Sequence, residues 1–140
     1  MCDAPLTLVY APNDYARQFM RVLKAQGKQA AAVVNSARQQ KILEGYGINR
    51  FVRLDTKAAE CPLQSGLIGD VYLFDDSFPL TCRYIRLIKP HVTGRIVVVL
   101  QSAGIPALYR HLGADKLCHE AAHPYQLLLE DEESEEGHVC

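Results

Sequence analysis

Short apolar runs alternate with amphipathic stretches along most of the chain, and this alternation constrains the fold more than any other feature. The predicted strands are Leu6–Ala11, Gln29–Val34, Phe51–Leu54, Asp70–Phe74, Arg95–Leu100 and Lys116–His119. The predicted helices are Asp14–Gln26, Ser36–Tyr46, Pro79–Lys89, Ile105–Leu112 and His123–Glu130, with an irregular segment over 56–69. Six strands that alternate with helices predict an α/β protein with a doubly wound parallel sheet.

The length of 140 residues suits one domain. We expect residues 5–129 to form a single Rossmann-like domain. Residues 130–140 begin with a block in which six of seven residues are acidic, so we expect a disordered acidic tail. The sequence assigns no role to this tail or to Cys140.

The composition excludes several classes of protein. The net charge of -1 gives no basic excess for nucleic-acid binding, and no apolar run approaches the ~20 residues that span a bilayer. The amino terminus lacks the features of a signal peptide, so we expect a cytoplasmic protein. Five dispersed cysteines without a C-x-x-C pair favour neither disulfides nor zinc, and Cys82 and Cys118 are predicted to be core residues.

Catalytic patterns are lacking in the sequence. We find no Ser/His/Asp or Cys/His constellation in chain order and no His-x-x-x-His pair that would suggest a metal. We therefore expect a binding protein and not an enzyme.

Polar or turn-forming residues follow the first three predicted strands. The candidate binding residues are Ala11, Pro12, Asn13, Asp14 and Ala16 after the first strand, Asn35, Ser36 and Arg38 after the second, and Asp55 and Thr56 after the third. In a doubly wound sheet these strand ends would face one crevice, where such folds bind ligands. The alternative at each position is helix capping or turn formation, which Asn, Asp and Ser also favour.

Two further segments of the sequence resemble those of a known protein family. Gln101–Ala103 and His111–Glu120, which contains Leu-Gly-Ala-Asp before the sixth strand, resemble the KTN family, the RCK N-terminal (TrkA-N-like) nucleotide-binding domains of potassium channels and transporters. The resemblance covers about residues 6–130. It implies binding of NAD(H), NADP(H) or ATP/ADP, a homodimer, and a membrane potassium-transport protein as partner at the inner face of the membrane.

The glycine motif of that family is degenerate in this chain. Ala11, Asn13 and Ala16 stand where family members have glycines, and Pro12 removes a backbone donor from the turn. Asp14 or Asn13 is placed to cap the following helix, and an Asp14 carboxylate that points into the anion site would repel phosphate. We therefore expect nucleotide binding to be weak or lost.

The second and third strand ends differ in how closely they match the family. The family's usual acid after strand two is replaced by Asn35. Together with Arg38, it would tolerate a phosphorylated ribose or an adenine nucleotide better than the acid would. Asp55 keeps a residue that the family often has.

Two other functions stay open from the sequence. Asp70–Asp75 echoes the phosphoacceptor strand of a receiver-like signalling domain, with Asp75 as phosphoacceptor, although no acidic pair ends strand one to hold magnesium. A small NADP-dependent reductase would need a Tyr/Lys acid–base pair. Tyr84 and Lys89 lie on one predicted helix, but their spacing does not suit one face.

Overall fold

The computed structural model describes residues 6–54, 68–100 and 106–119. Its strands are β1 Leu6–Tyr10, β2 Ala30–Val34, β3 Phe51–Arg53, β4 Ile68–Phe74, β5 Ile96–Leu100 and β6 Lys116–His119. Its helices are α1 Asp14–Ala25, α2 Ala37–Glu44, α3 Phe78–Ile88 and α4 Pro106–Leu112, and a 3-10 turn spans Lys89–His91. The predicted helix His123–Glu130, the end of the domain at residue 129 and the acidic tail lie outside the described residues.

The described strands form one sheet in the order β3-β2-β1-β4-β5-β6, and every neighbouring pair is parallel. The chain moves outward from β1 to β3 and then outward from β4 to β6, so its direction reverses between β1 and β4. This is the strand order of a doubly wound Rossmann-like sheet, and it confirms the predicted fold class.

The sheet is covered by apolar side chains on both faces. Leu8 and Tyr10 of β1 pack with α3 and α4, whereas Val9 packs with α1 and α2 on the other face. This alternation follows from the two-residue period of a strand. On the α1 face, the Phe19 ring lies 4.8 Å from the ring of Tyr72 and 5.4 Å from that of Phe74, centroid to centroid.

Some predicted boundaries were wrong. β4 begins at Ile68, two residues before the predicted Asp70, because Ile68 pairs with Leu6 beside a bulge in β1 and also bridges Val92. The helix α3 begins at Phe78, which places Pro79 at its second residue. Cys82 and Cys118 were predicted in the core, but both are half-buried at its edge.

The Leu-Gly-Ala-Asp segment attaches β6 to the sheet. Gly113 ends α4 with a φ of +131°, a conformation that favours glycine. The Asp115 backbone N–H donates to the Ile96 carbonyl at 2.8 Å, and the Ile96 N–H donates to the Asp115 Oδ2 at 2.8 Å. Asp115 Oδ1 also lies 4.0 Å from Lys89 Nζ. The segment therefore fixes the start of β6 against β5.

We predict that Asp115→Ala lowers the free energy of unfolding by about 1–2 kcal/mol, because the Ile96 N–H loses its acceptor. Asp115→Asn should lose much less, since the amide oxygen still accepts that bond while the exposed ion pair with Lys89 contributes little. Urea denaturation of the three proteins measures both effects. Equal destabilisation by the two substitutions would contradict the assigned role of the hydrogen bond.

Candidate functional site

A cavity of about 250 Å³ opens at the carboxyl ends of β1 and β2, beside the boundary between β1 and β4 where the strand order reverses. The helices α1 and α2 both begin beside it. Its walls are formed by Tyr10, Ala11, Pro12, Arg17, Val33, Arg38, Gln39, Ile42, Leu43 and Asp76. Doubly wound sheets bind their ligands at this place, so we take the cavity as the candidate site.

The turn between β1 and α1 satisfies the start of its own helix. Asn13 is the N-cap, and its Oδ1 accepts a hydrogen bond from the Ala16 N–H at 2.9 Å. Its φ of −138° is extended backbone, so this turn needs no glycine at that position. The cap is thus Asn13, one of the two residues predicted for that role.

Asp14 is the first residue of α1 and makes a contact outside the cavity wall. Its exposed carboxylate accepts a hydrogen bond at 2.7 Å from the Tyr46 hydroxyl, which lies just beyond α2. Asp14 is not among the described residues that line the cavity.

The turn between β2 and α2 is capped reciprocally. The Ser36 Oγ accepts from the Gln39 N–H at 3.2 Å, and the Gln39 Oε1 accepts from the Asn35 N–H at 2.8 Å. This is a variant of the capping box, which the Ser-x-x-Gln spacing encodes. The helix-capping alternative holds for Ser36, and Arg38 from the same helical turn lines the cavity.

Two guanidinium groups line the cavity from different helices. Arg17 Nη2 donates to the Pro12 carbonyl at 3.1 Å, and the group lies 5.4 Å from the centroid of the Tyr46 ring. Its Nε is buried without a hydrogen-bond partner. Arg38 is exposed at the start of α2, and Asp76 brings a carboxylate to the same wall. Arginines near two helix amino termini favour an anion here.

Beneath the cavity two tyrosines pack edge to face, with the rings of Tyr10 and Tyr84 5.0 Å apart. Burial raises the pKa of Tyr10, and Asp76 raises it further, while Gln39 opposes the rise. Burial also raises the pKa of Tyr84, with Tyr10 adding to the effect. Asn35 approaches the Tyr84 hydroxyl and tempers that rise without reaching hydrogen-bonding geometry, so the buried hydroxyl has no partner.

Asp75, at the end of β4, is a buried carboxylate and 2% exposed. Its Oδ1 accepts hydrogen bonds from the Tyr109 hydroxyl at 3.0 Å and the Thr81 hydroxyl at 3.3 Å. Burial and this carboxylate both raise the pKa of Tyr109, and likewise that of the Cys82 thiol. The carboxylate therefore joins β4 to α3 and α4 and is shielded from solvent.

The structure brings only part of the predicted set around the cavity. Ala11, Pro12 and Arg38 line it, whereas Asn13, Ala16, Asn35 and Ser36 serve the two helix starts. Asp55 and Thr56 lie outside the described residues. The sequence prediction missed Arg17, Gln39 and Asp76. The Ser-x-x-Gln spacing could have revealed Gln39, and the position of Asp76 after a strand at the reversal could have revealed that residue.

No protein-family model and no curated protein matches this sequence. Among solved structures, the NAD(P)-binding domain of an exopolyphosphatase-related protein from Archaeoglobus fulgidus has a TM-score of 0.65 and 16% identity, over 91% of this chain and 97% of that one. The GsuK RCK domain gives a TM-score of 0.67 at 16% identity, over 83% of this chain. The chain shares its fold with these two domains. The resemblance predicted from the sequence is thus confirmed at the level of the fold.

A second GsuK structure, the channel bound to NAD, gives a TM-score of 0.65 at 17% identity over 83% of this chain. The present chain spans 21% of that chain and 26% of the GsuK RCK structure. No helix among the described residues is both long and apolar enough to cross a membrane.

We predict opposite effects on stability for two buried tyrosines. Tyr84→Phe should leave the free energy of unfolding unchanged or raise it by up to about 1 kcal/mol, because it removes a buried hydroxyl without a partner. Tyr109→Phe should lower it by about 1–3 kcal/mol, because the buried Asp75 carboxylate loses one of the two hydroxyl donors that it has among the described residues. Urea denaturation at pH 7 measures both, and a Tyr84→Phe variant less stable than Tyr109→Phe would contradict the assignment.

The same two variants carry a pH dependence. The pKa of each tyrosine is higher in the folded protein than in the unfolded chain. The free energy of unfolding is therefore kept below pH ~10 and falls as pH rises further, because each tyrosine ionises first in the unfolded chain. Each phenylalanine variant should therefore lose less stability than the parent between about pH 9.5 and 11.

Proposed function

We propose that this chain is a non-enzymatic regulatory domain of the RCK type, which binds an adenine nucleotide weakly through its phosphates in the crevice between α1 and α2. The observation that carries the proposal is the meeting of Arg17 and Arg38, from different helices, on one cavity at the strand reversal. Guanidinium groups beside helix amino termini suit phosphate, and among the described residues of the wall the Asp76 carboxylate opposes them.

Several contacts support weak binding. The cavity of about 250 Å³ falls below the ~300–1,000 Å³ of sites that enclose small molecules, so a nucleotide would be partly exposed. The Asn13 side chain already accepts a hydrogen bond from the Ala16 N–H, and Arg17 already donates one to the Pro12 carbonyl. A phosphate must displace or share these contacts, which lowers its net gain.

The candidate ligands are NAD(H), NADP(H), ATP and ADP. One structure with this fold, the GsuK channel, is bound to NAD, which supports a nucleotide here as well. Asn35 stands where an acid would read an unmodified ribose, and Arg38 follows three residues later. Among dinucleotides we therefore propose NADP(H) before NAD(H).

The two alternative functions fit the described geometry less well. The strand order is not the 2-1-3-4-5 order of receiver-type sheets, and Asp75 is buried beneath two hydroxyl donors. For a reductase, Tyr84 is buried whereas Lys89 is exposed and lies near Asp115, so the two do not form an acid–base pair. No group of His, Cys, Asp or Glu within the described ranges is arranged to hold a metal.

The proposed setting is a cytoplasmic homodimer beside a membrane potassium-transport protein. The support is the likeness in fold to the GsuK RCK domain, together with the segment Gly113–Asp115. Among the described residues, Ile42 is the only large apolar side chain that is exposed. We expect any dimer contact made by the described surface to be largely polar.

Nucleotide binding is tested by calorimetric titration with NAD(H), NADP(H), ATP and ADP. We expect dissociation constants above ~10 μM, and a loss of about tenfold for Arg38→Gln or Arg17→Gln, as for one charge-assisted hydrogen bond. Arg83→Gln, an exposed arginine on α3, is the matched control and should not change the affinity. If the chain binds none of these nucleotides, the proposed nucleotide-binding function is refuted. If Arg83→Gln lowers the affinity as much as Arg17→Gln and Arg38→Gln do, the proposed location of the site is refuted.

The assembly is tested by sedimentation velocity over a range of concentrations. A homodimer should give a sedimentation coefficient that rises with concentration toward that of a 31 kDa species, about twice the chain mass of 15.6 kDa. Added salt should weaken a polar dimer. A monomer at all concentrations up to about 1 mM would contradict the dimer while leaving nucleotide binding untouched.

A further inference from the structure

The charges of this chain are divided unequally along its length. Residues 6–54 carry eight cationic side chains against two acidic ones, Asp14 and Glu44. The cationic residues are Arg17, Arg21, Lys24, Lys28, Arg38, Lys41, Arg50 and Arg53. Residues 130–136 hold six acidic side chains. The net charge of -1 therefore conceals a strongly basic region and a strongly acidic segment.

Four of these cations line a continuous depression away from the nucleotide crevice. Two cavities of about 250 and 330 Å³ share Met20, Lys24, Gly47 and Ile48 in their walls. Lys28 and Arg50 line the first cavity, and Arg21 lines the second. We call this the basic groove, defined by Arg21, Lys24, Lys28 and Arg50.

The basic groove lacks neutralising partners within the described structure. Of the described residues that line the two cavities, none is acidic. Lys24 Nζ donates to the Gly47 carbonyl at 3.1 Å, and the salt bridge found among the described residues, between Lys89 and Asp115, lies elsewhere. Clustered cations repel one another, so an anionic occupant would lower their electrostatic energy.

We propose that the acidic segment 130–136 of the same chain docks in the basic groove. Its six carboxylates are opposite in sign to the four cations and are numerous enough to neutralise them. The groove lies at the amino ends of β2 and β3, where Lys28 and Arg50 precede the strands, so the docked segment leaves the nucleotide crevice open.

The connecting chain is long enough for this docking when it is extended. Residues 120–129 join the end of β6 to the segment, and ten extended residues reach roughly 33–36 Å. Docking therefore requires these residues to be extended in the docked state, and not in the helix predicted over His123–Glu130. β6 is four strand positions from β2, and that width together with the length of one strand gives a diagonal of roughly 25 Å. A tethered segment also acts at an effective concentration in the millimolar range, which suits a weak electrostatic contact.

The test compares ¹⁵N–¹H spectra of the full chain with those of a chain that lacks residues 130–140. Docking should shift the amides of Lys24, Lys28, Gly47, Asn49 and Arg50 most, and the shifts should fall at least threefold in 0.5 M NaCl. A full-length chain with the six acids changed to Gln or Asn should resemble the truncated chain. Lys28→Glu with Arg50→Glu should abolish the shifts, whereas Arg83→Glu with Arg110→Glu, on the opposite face, should preserve them.

A synthetic peptide of residues 130–136 gives a second readout. It should bind the truncated chain at least tenfold more tightly than the full chain, whose own segment occupies the groove. Shifts that centre on other residues, persist in high salt or survive Lys28→Glu with Arg50→Glu would overturn the proposal. Shifts that vanish on dilution would overturn it in favour of docking between two copies.

Discussion

The parallel sheet is buried on both faces, and this constraint decides where polar chemistry can occur. Within β1, β4 and β5 the backbone groups bond to neighbouring strands, and almost every side chain packs against a helix layer. An unpaired polar group in the middle of such a sheet would lose its hydration without compensation. Polar side chains therefore concentrate at the strand ends. Asp115 serves one edge of the sheet, while Arg17 and Arg38 line the other.

The beginnings of α1 and α2 show a competition between stability and ligand binding. A glycine-rich turn leaves its backbone N–H groups for a phosphate. In this chain the side chains of Asn13 and Ser36 accept hydrogen bonds from two of the N–H groups at the helix starts, and each cap is worth about 1 kcal/mol. A ligand that displaces one such cap forfeits that energy, which corresponds to roughly fivefold in affinity. Side-chain caps thus stabilise the unliganded domain and would lower the net gain from a phosphate in the proposed site by the same interaction.

The fold could be predicted because its signals are local and repeated. The run Ile96–Leu100 is apolar throughout and became β5, and the alternation of strands with helices predicts the parallel doubly wound sheet that the structure has. The start of β4 was missed, since Ile68 is held by Leu6 and Val92 from distant parts of the chain. No local pattern encodes such a pairing.

The site was less predictable for the same reason. Arg17 reads as one more exposed helical cation, and only the fold brings it to the cavity shared with Arg38. The sequence left Asn13 and Asp14 as alternative caps, and in the structure Asn13 is the cap while Asp14 accepts a hydrogen bond from Tyr46, 32 residues further along the chain. The sequence around Asp75 has the pattern of a phosphoacceptor strand, but the Asp75 carboxylate accepts hydrogen bonds from Thr81 and Tyr109. A polar residue at a strand end can be located from the sequence. Its role, however, depends on the residues that tertiary packing places beside it.

The distribution of charge along the chain is more informative than the net charge. A value of -1 argues against nucleic-acid binding only if the charges are mixed, and here they are separated along the chain. At physiological ionic strength, charges more than ~8 Å apart are largely screened from each other. The acidic segment can therefore offset the basic groove only by lying against it. If it lies elsewhere, Arg21, Lys28 and Arg50 present an uncompensated positive surface to any acidic partner. In either case, the separated charges favour a contact at the basic groove.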